Sequence, residues 1–357
     1  MAGTVNLAKK FERWVDDAFA RESILTGATN NKVDFTGVNE VSVYSVDKMD
    51  MNDYQRSGTN RYGTPEEIGD TVQTFKITKD RSFTGTIDEG NAQDQYNIKG
   101  ASERLHVQMR EVVTPEIEQY VLQVWAEGAG KSTAGTAPTA ETLLGLIQTG
   151  ASYMNNHHVP KRGRSIFIAE TYAAMLPNLA KLTYLERLGS QALTENKLPR
   201  VAGFDVHVVP DTDMPTGVYF ILQHKDACPF VKKLQTLKVH RDPPGINGNL
   251  IEGRVRYWAG VLSQKADGIY AYVASGSKQA NPSFGGTGLA ATITSSGASA
   301  IYYTLDGSDP RFSDSRVQIA TGGSVTGGTE GATLKAVAYA DGKLPSDVTE
   351  KVLTAGG

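Results

Sequence analysis

The sequence predicts an α+β fold followed by a small all-β sandwich, and three features predict it. Apolar residues recur at helical spacing from Gly100 to Gly130. Between Thr139 and Ala274 helix and strand patterns follow one another without the regular β–α–β order of a Rossmann or barrel enzyme. After Ala274 the chain breaks into short strand-like runs parted by Gly- and Asp-bearing turns, the pattern of a sandwich.

The bulk numbers bound the function classes. A chain of 357 residues holds two or three domains and a sizeable core. Net charge is −3, so no global positive field marks a dedicated nucleic-acid binder. One cysteine, Cys228, excludes an intramolecular disulfide framework and fits a reducing compartment. No apolar run approaches the roughly 18 residues of a membrane helix, and Lys9, Lys10, Glu12, Arg13, Asp16 and Asp17 stand where a signal peptide would need an apolar core.

Residues 5–22 read as a short amphipathic helix with Leu7, Phe11, Trp14, Val15, Ala18 and Phe19 on one face. So short a helix is marginal alone, so that face must dock on its own domain or on a neighbouring chain. Val41, Val43 and Val46 predict a strand. A polar stretch, 47–70, follows with Arg56, Gly58, Arg61, Gly63 and Pro65, and then a hairpin of Val72–Lys79 against Ser82–Asp88 turning at Lys79-Asp80-Arg81. A hairpin this polar needs a surface to lie on. The 100–130 segment carries Leu105, Met109, Val112, Val113, Ile117, Tyr120, Val121, Val124 and Trp125 on one stripe, with Ser102 as N-cap and Gly128 and Gly130 as the stop. It would be about 40 Å long. Pro115 removes a hydrogen bond and crowds the preceding turn, so a break is expected near Thr114.

In the α/β region Leu143, Leu144, Ile147 and Ala151 give a helix face, and 171–182 a helix interrupted at Pro177. Residues 166–168, 205–209, 218–222 and 236–240 are strands, and 253–262 pairs with 268–273. Ser275–Gln279 is small and polar, a linker that few contacts should cross. Beyond it, strands are expected at 290–294, 300–305, 317–320, 333–339 and 347–352, with turns at Asp306-Gly307 and Asp341-Gly342.

The residues that could carry chemistry give little. Gly128-Ala129-Gly130-Lys131-Ser132-Thr133 ends like a phosphate-binding loop, but Trp125 stands where the first glycine belongs, and the segment follows a helix and leads into a flexible turn. His157 and His158 are adjacent and diverge, with no ligand at metal spacing nearby. Asp306, Asp309 and Asp314 miss the spacing of a calcium loop. Asp88 and Glu89 are neighbours rather than a pair across a cleft, and His224 precedes Cys228 without the setting of a dyad. No catalytic residue, cofactor or metal is expected.

Several stretches, in order, resemble the major capsid proteins of tailed bacteriophages with the Hong Kong 97-like fold. Lys79-Asp80-Arg81-Ser82-Phe83-Thr84-Gly85-Thr86-Ile87-Asp88-Glu89 is similar to the return strand of that family's extended loop, and Val113-Thr114-Pro115-Glu116-Ile117-Glu118-Gln119-Tyr120 to its spine helix. Arg164 to Ile168 before Glu170-Thr171-Tyr172, then Val201 to Val206 before Val209-Pro210, resemble its axial domain, and Ile251 to Tyr272 its closing strands. The resemblance implies a shell domain over 1–274: an N-terminal arm (1–30), an extended loop (41–95), a spine helix (100–130) and an axial and peripheral α/β region (139–274). The linker (275–279) and an immunoglobulin-like domain (280–357) follow. The tail, through Ile301-Tyr302-Tyr303-Thr304-Leu305-Asp306-Gly307-Ser308-Asp309-Pro310, Thr333 to Ala338 and Gly342-Lys343, resembles the immunoglobulin-like domain at the C-terminus of chitobiase-type enzymes, an accessory module there.

The capsid resemblance implies a virion structural protein, assembled in the bacterial host cytoplasm into an icosahedral shell of hexamers and pentamers. That shell would enclose double-stranded DNA without sequence-specific binding and touch no membrane. If Met1 is the encoded start, scaffolding comes from a separate protein, and a portal is implied as a further partner. The residues expected at contacts between subunits are Arg56, Arg61, Arg81, Asp88 and Glu89 in the loop and Phe11 and Trp14 in the arm. The alternative from another class is a secreted or surface-attached glycan-binding protein, suggested by the tail.

Overall fold

The structure, a computed structural model, describes residues 23–30, 32–33, 40–46, 49, 51–65, 67–68, 70–89, 101–176, 200–245, 247–286 and 288–355. The expected arm helix, with Phe11 and Trp14, lies outside them, as does the 177–182 part of the helix expected after Thr171. In chain order the elements are β1 (Glu40–Val46), β2 (Asp70–Lys76), β3 (Lys79–Asp88), α1 (Ala101–Gln108), a π-helical turn (Met109–Val113) and α2 (Thr114–Glu127). Next come β4 (Lys131–Gly135), α3 (Leu143–Asn156), β5 (Arg164–Ala169), α4 (Glu170–Ala173), β6 (Asp205–Val209), β7 (Val218–His224), β8 (Phe230–Arg241), β9 (Gly248–Ala259) and β10 (Ile269–Ala274). The tail holds β11 (Ser283–Gly285), β12 (Thr292–Thr294), β13 (Ala300–Thr304), β14 (Val317–Ile319), β15 (Gly323–Ser324), β16 (Thr333–Tyr339) and β17 (Thr349–Val352).

Two compact units divide these residues, one built on 79–118 and 232–257, the other on 24–78, 119–231 and 258–357. The first is a three-stranded sheet, β3-β9-β8, with the N-terminal part of the long helical segment. β3 runs antiparallel to β9 from Lys79↔Tyr257 to Asp88↔Gly248. The hairpin expected between β2 and β3 therefore does not form. Lys79-Asp80-Arg81, read as its turn, lies inside β3, where Asp80 accepts two hydrogen bonds from Arg254 at 2.9 and 2.6 Å. β9 also does not pair with β10 as expected, because both neighbours of β9 are supplied by β3 and β8.

The break expected near Thr114 is a π turn. The Thr114 N–H reaches the Met109 carbonyl five residues back, and its hydroxyl donates to the same oxygen at 2.9 Å. The turn accommodates Pro115, which has no N–H to give. Ser102 is already helical, so it is not the cap. Beyond the turn Ile117, Val121 and Trp125 of the predicted stripe are buried, Tyr120 and Val124 are half-buried, and Leu122, outside the stripe, is buried too, while Val112, inside the turn, stays 48% exposed.

The second unit centres on a five-stranded sheet ordered β4-β10-β7-β5-β6. All six residues of β5 are buried, and α3 covers one face of the sheet with Leu143, Ile147 and Met154 packed among Ile166, Ile168, Phe220, Leu222 and Tyr270. On the other face Phe167 meets Trp125 edge-on at 5.2 Å. The tail is a two-sheet sandwich, β11-β12-β15 over β14-β13-β16-β17. Its core is Ile293, Ile301, Tyr303, Leu334, Ala336, Ala338 and Leu353. Strands β11 and β15 were not foreseen from sequence; each is only two or three residues long.

Residues 275–279 are not a free tether. Ser275 N–H donates to Gly135 O, Leu344 N–H to Ser277 O, and Gln279 N–H to Leu344 O, at 2.9, 2.8 and 2.9 Å. Gln279 is 1% exposed, with its amide on Ser295 Oγ and Ser296 O. Small polar residues suggested freedom; here they hydrogen-bond on both sides.

Candidate assembly surfaces

The β1–β2 hairpin is amphipathic across its two faces. The register places Val41 opposite Phe75 and Val43 opposite Gln73 on one face, and Ser42 opposite Thr74 and Tyr44 opposite Val72 on the other. The first face is anchored. Phe75 and Ile77 pack with Trp258, the Phe75 and Trp258 rings 4.6 Å apart. The buried Gln73 amide donates to Val261 O and accepts from Ser263 N–H, both at 2.9 Å. The second face is bare: Tyr44 is 70% and Val72 45% exposed.

The loop joining the two strands exposes more apolar surface. Met51 and Tyr62 are 98% and 84% exposed, and Met49, Tyr54 and Ile68 are also open. The loop nonetheless has local order: Tyr54 and Tyr62 meet edge-on at 5.0 Å, Gln55 N–H donates to Arg61 O, and Arg61 Nε donates to Gly58 O at 3.2 Å. Arg56 and Arg61 are both exposed in this loop. Sequence reasoning named these arginines and passed over Met51, Tyr54 and Tyr62. The signal was available: aromatic and methionine side chains interleaved in an otherwise polar stretch with no helical or strand period.

Arg81, Asp88 and Glu89 belong to the β3 region instead. Arg81 Nε lies 2.7 Å from Glu116 Oε1, which also accepts from the Tyr257 hydroxyl at 3.3 Å. Asp80 is held below the usual carboxylate range, chiefly by its hydrogen bonds from Arg254 and then by the charges of Arg254 and Arg256. Asp88 ends β3 opposite Gly248, and Glu89 N–H donates to Asn247 O at 3.0 Å. The Arg81 charge is thus met within its own subunit.

The segment that ended like a phosphate loop has a structural role. Gly128 N–H closes α2 on Val124 O, and Gly130 N–H donates to both Ala266 O and Ile269 O. A Cβ on Gly130 would lie 2.6 Å from the Ala266 carbonyl oxygen, so glycine is required by close approach of backbone. The flexible turn expected over 133–138 begins instead inside a strand, β4 (Lys131–Gly135), parallel to β10. The strand follows the helix, the reverse of a phosphate-binding loop.

His224 and Cys228 are likewise structural. His224 Nδ1 accepts from Asp226 N–H at 3.2 Å, so Nε2 carries the proton and donates to Arg162 O at 2.8 Å. Burial lowers its pKa and pushes the fully buried Cys228 thiol up, which disfavours a thiolate. His157 pairs with Asp267 at 3.1 Å, a partner distant in sequence. Among the described residues no three His, Cys, Asp or Glu side chains are placed to share a metal ion, and no helix is long and apolar enough to cross a membrane.

Comparison with known proteins places the fold. The family model described as Fn3 associated matches residues 291–353, within the sandwich. No curated protein sequence matches the chain. Among solved structures, one from Mycobacterium phage Che8 superposes with a TM-score of 0.63 at 16% identity, over 76% of this chain and 98% of that one. The capsid structure of cyanophage P-SCSP1u gives 0.59 at 18% identity, over 75% and 93%. The mature capsid of bacteriophage PhiM1 gives 0.58 at 12%, over 77% and 95%. The chain has this phage-capsid fold, Hong Kong 97-like as its sequence resemblance implied, with an immunoglobulin-like sandwich at its end.

Proposed function

We propose that this chain is the major capsid protein of a tailed bacteriophage, and that many copies build an icosahedral shell around double-stranded DNA. The observation that carries the reading is the β1–β2 hairpin. One face is fixed by Phe75, Gln73 and Trp258, while its other face and connecting loop hold Tyr44, Met51, Tyr54 and Tyr62 in solvent. Large apolar side chains held in solvent on one hairpin and its loop point to an interaction site, and in a capsid fold the natural cover is a second copy. Obligate interfaces of that class bury roughly 2,000–5,000 Å². The work is mechanical and calls for no catalytic group.

Arg56 and Arg61 in the same loop are offered to that neighbour, where desolvated charge pairs set register more than strength. Asp88 and Glu89 are proposed as further contacts, and Phe11 and Trp14 as the arm's. A separate scaffolding protein and a portal complete the proposal, with assembly in the host cytoplasm and the sandwich carried on the outer surface, since the interior is reserved for DNA. Electron microscopy of the purified chain, alone and with its scaffolding partner, tests the reading: shells, rings or tubes are expected, and monodisperse monomers at high concentration under both conditions overturn it.

A further inference from the structure

Among the described residues β4 is an end strand of the five-stranded sheet, so one row of its backbone groups faces no described strand. At Ser132 that row is closed. The Ser132 N–H donates to Asp347 Oδ1 at 2.9 Å, and the Ser132 carbonyl accepts from Lys278 Nζ at 2.6 Å. Asp347 and Lys278 pair with each other at 2.7 Å, each side chain 9% exposed. Lys131 Nζ adds a second cation, 2.8 Å from Asp347 Oδ2. A buried ion pair thus presents an acceptor to the N–H and a donor to the C=O, as an adjoining strand would. Burial alone would push the Asp347 carboxyl up; the Lys278 charge and hydrogen bonds from Lys131, Lys278 and the Ser132 N–H outweigh it and hold the group below its usual range.

Both halves of the pair come from beyond the sheet. Asp347 precedes β17 and is held by Asn281 Oδ1 on its own N–H at 3.1 Å. Lys278 forms a bridge with Leu344. A second tie lies close by in sequence: Arg311, gripped by Asp309 at 2.7 Å and 6% exposed, donates to the carbonyl of Ala129, just past the end of α2. There the helix dipole favours a cation.

We propose that the C-terminal sandwich is an edge guard for the sheet. It occupies the open side of β4 at Ser132 through Asp347 and Lys278 and denies that edge to strands of other chains. The surface at 129–132 is its seat, and the partner that fits the seat is residues 275–357 of the same chain.

Amide exchange on the full chain tests this. In Asp347→Ala the Ser132 amide should exchange at least about tenfold faster, the loss of one charge-assisted hydrogen bond. The Tyr270–Val273 amides of β10 should keep their protection. Lys278→Arg, which keeps a donor on the Ser132 carbonyl, should leave Ser132 protected. On incubation, thioflavin-positive aggregation should rise in Asp347→Ala and not in Lys278→Arg. If Asp347→Ala does not fold, Lys278→Met removes the other half of the cap and should give the same aggregation. Unchanged exchange at Ser132, loss of protection in β4 and β10 together, or equal aggregation in the capped and uncapped variants would each overturn the proposal.

Discussion

Arg81 and Glu116 join strand β3 to the first turn of α2 through a single 2.7 Å contact, although they lie 35 positions apart in the chain. Both are substantially open to water, at 64% and 39%, so the pair is worth no more than about 1 kcal/mol. Arg81→Glu loses that attraction and adds a like-charge repulsion of similar size, so it should lower stability by at most about 2 kcal/mol, and Arg81→Glu with Glu116→Arg should restore it, read from urea midpoints. Because the partner is internal, a shell defect in the single variant that disappears in the double one is expected. A defect that persists would place the Arg81 contact between subunits.

The hairpin loop should separate folding from assembly. Met51→Asp introduces charge at a side chain that is 98% exposed, so the urea midpoint should stay within about 0.5 kcal/mol of the parent. Sedimentation should nevertheless show the shell lost, because a neighbour would have to bury that charge.

Gly150 sits where α3 crosses the sheet. A Cβ there would come within 2.5 Å of Leu222 and 2.7 Å of Tyr270. Gly150→Ala should therefore cost about 1–3 kcal/mol by overpacking, despite alanine being the better helix former. A calorimetric midpoint at or above the parent's would show that the sheet gives way freely.

Two histidines make stability fall with acid. Burial lowers the pKa of His207, stacked on Phe167 at 4.8 Å, and of His224. The unfolded chain then binds protons more readily than the folded one. The contribution is complete above the unfolded value of about 6.5 and is lost as pH falls from there toward the folded values, by at most about 1.4 kcal/mol per pH unit for each group. Melting temperatures recorded from pH 7 to 5 should decline, and His207→Gln should flatten the slope.

Much of the fold was legible because its strongest signals are periodic. The Ile117, Val121 and Trp125 spacing placed α2, and the apolar runs placed β5, β6, β7 and most tail strands. Pro115 announced the break, though not that the chain would absorb it as a π turn through the Thr114 hydroxyl. Pairing was harder to see. Lys79-Asp80-Arg81 has the composition of a turn, and only Arg254 and Arg256, about 175 residues later, make it a strand. Ser275–Gln279 has the composition of a linker, and what fixes it is the backbone of Leu344 and Gly135. In the assembly surface the arginines stood out by charge, whereas Met51 and Tyr62 matter because they are uncovered, a property no local pattern records.

The Asp347–Lys278 contact also bears on how the tail can be used as a ruler. A module swinging on five flexible residues would give a broad, polymer-like spread of separations between a dye on the sandwich and one on the α/β core. With Ser132, Lys131 and Ala129 all engaged, labels at Val317, 46% exposed on β14, and at Gln148, exposed on α3, should instead report one narrow distance. Anything grafted to the sandwich inherits that bearing, and in a symmetric particle every copy would repeat it.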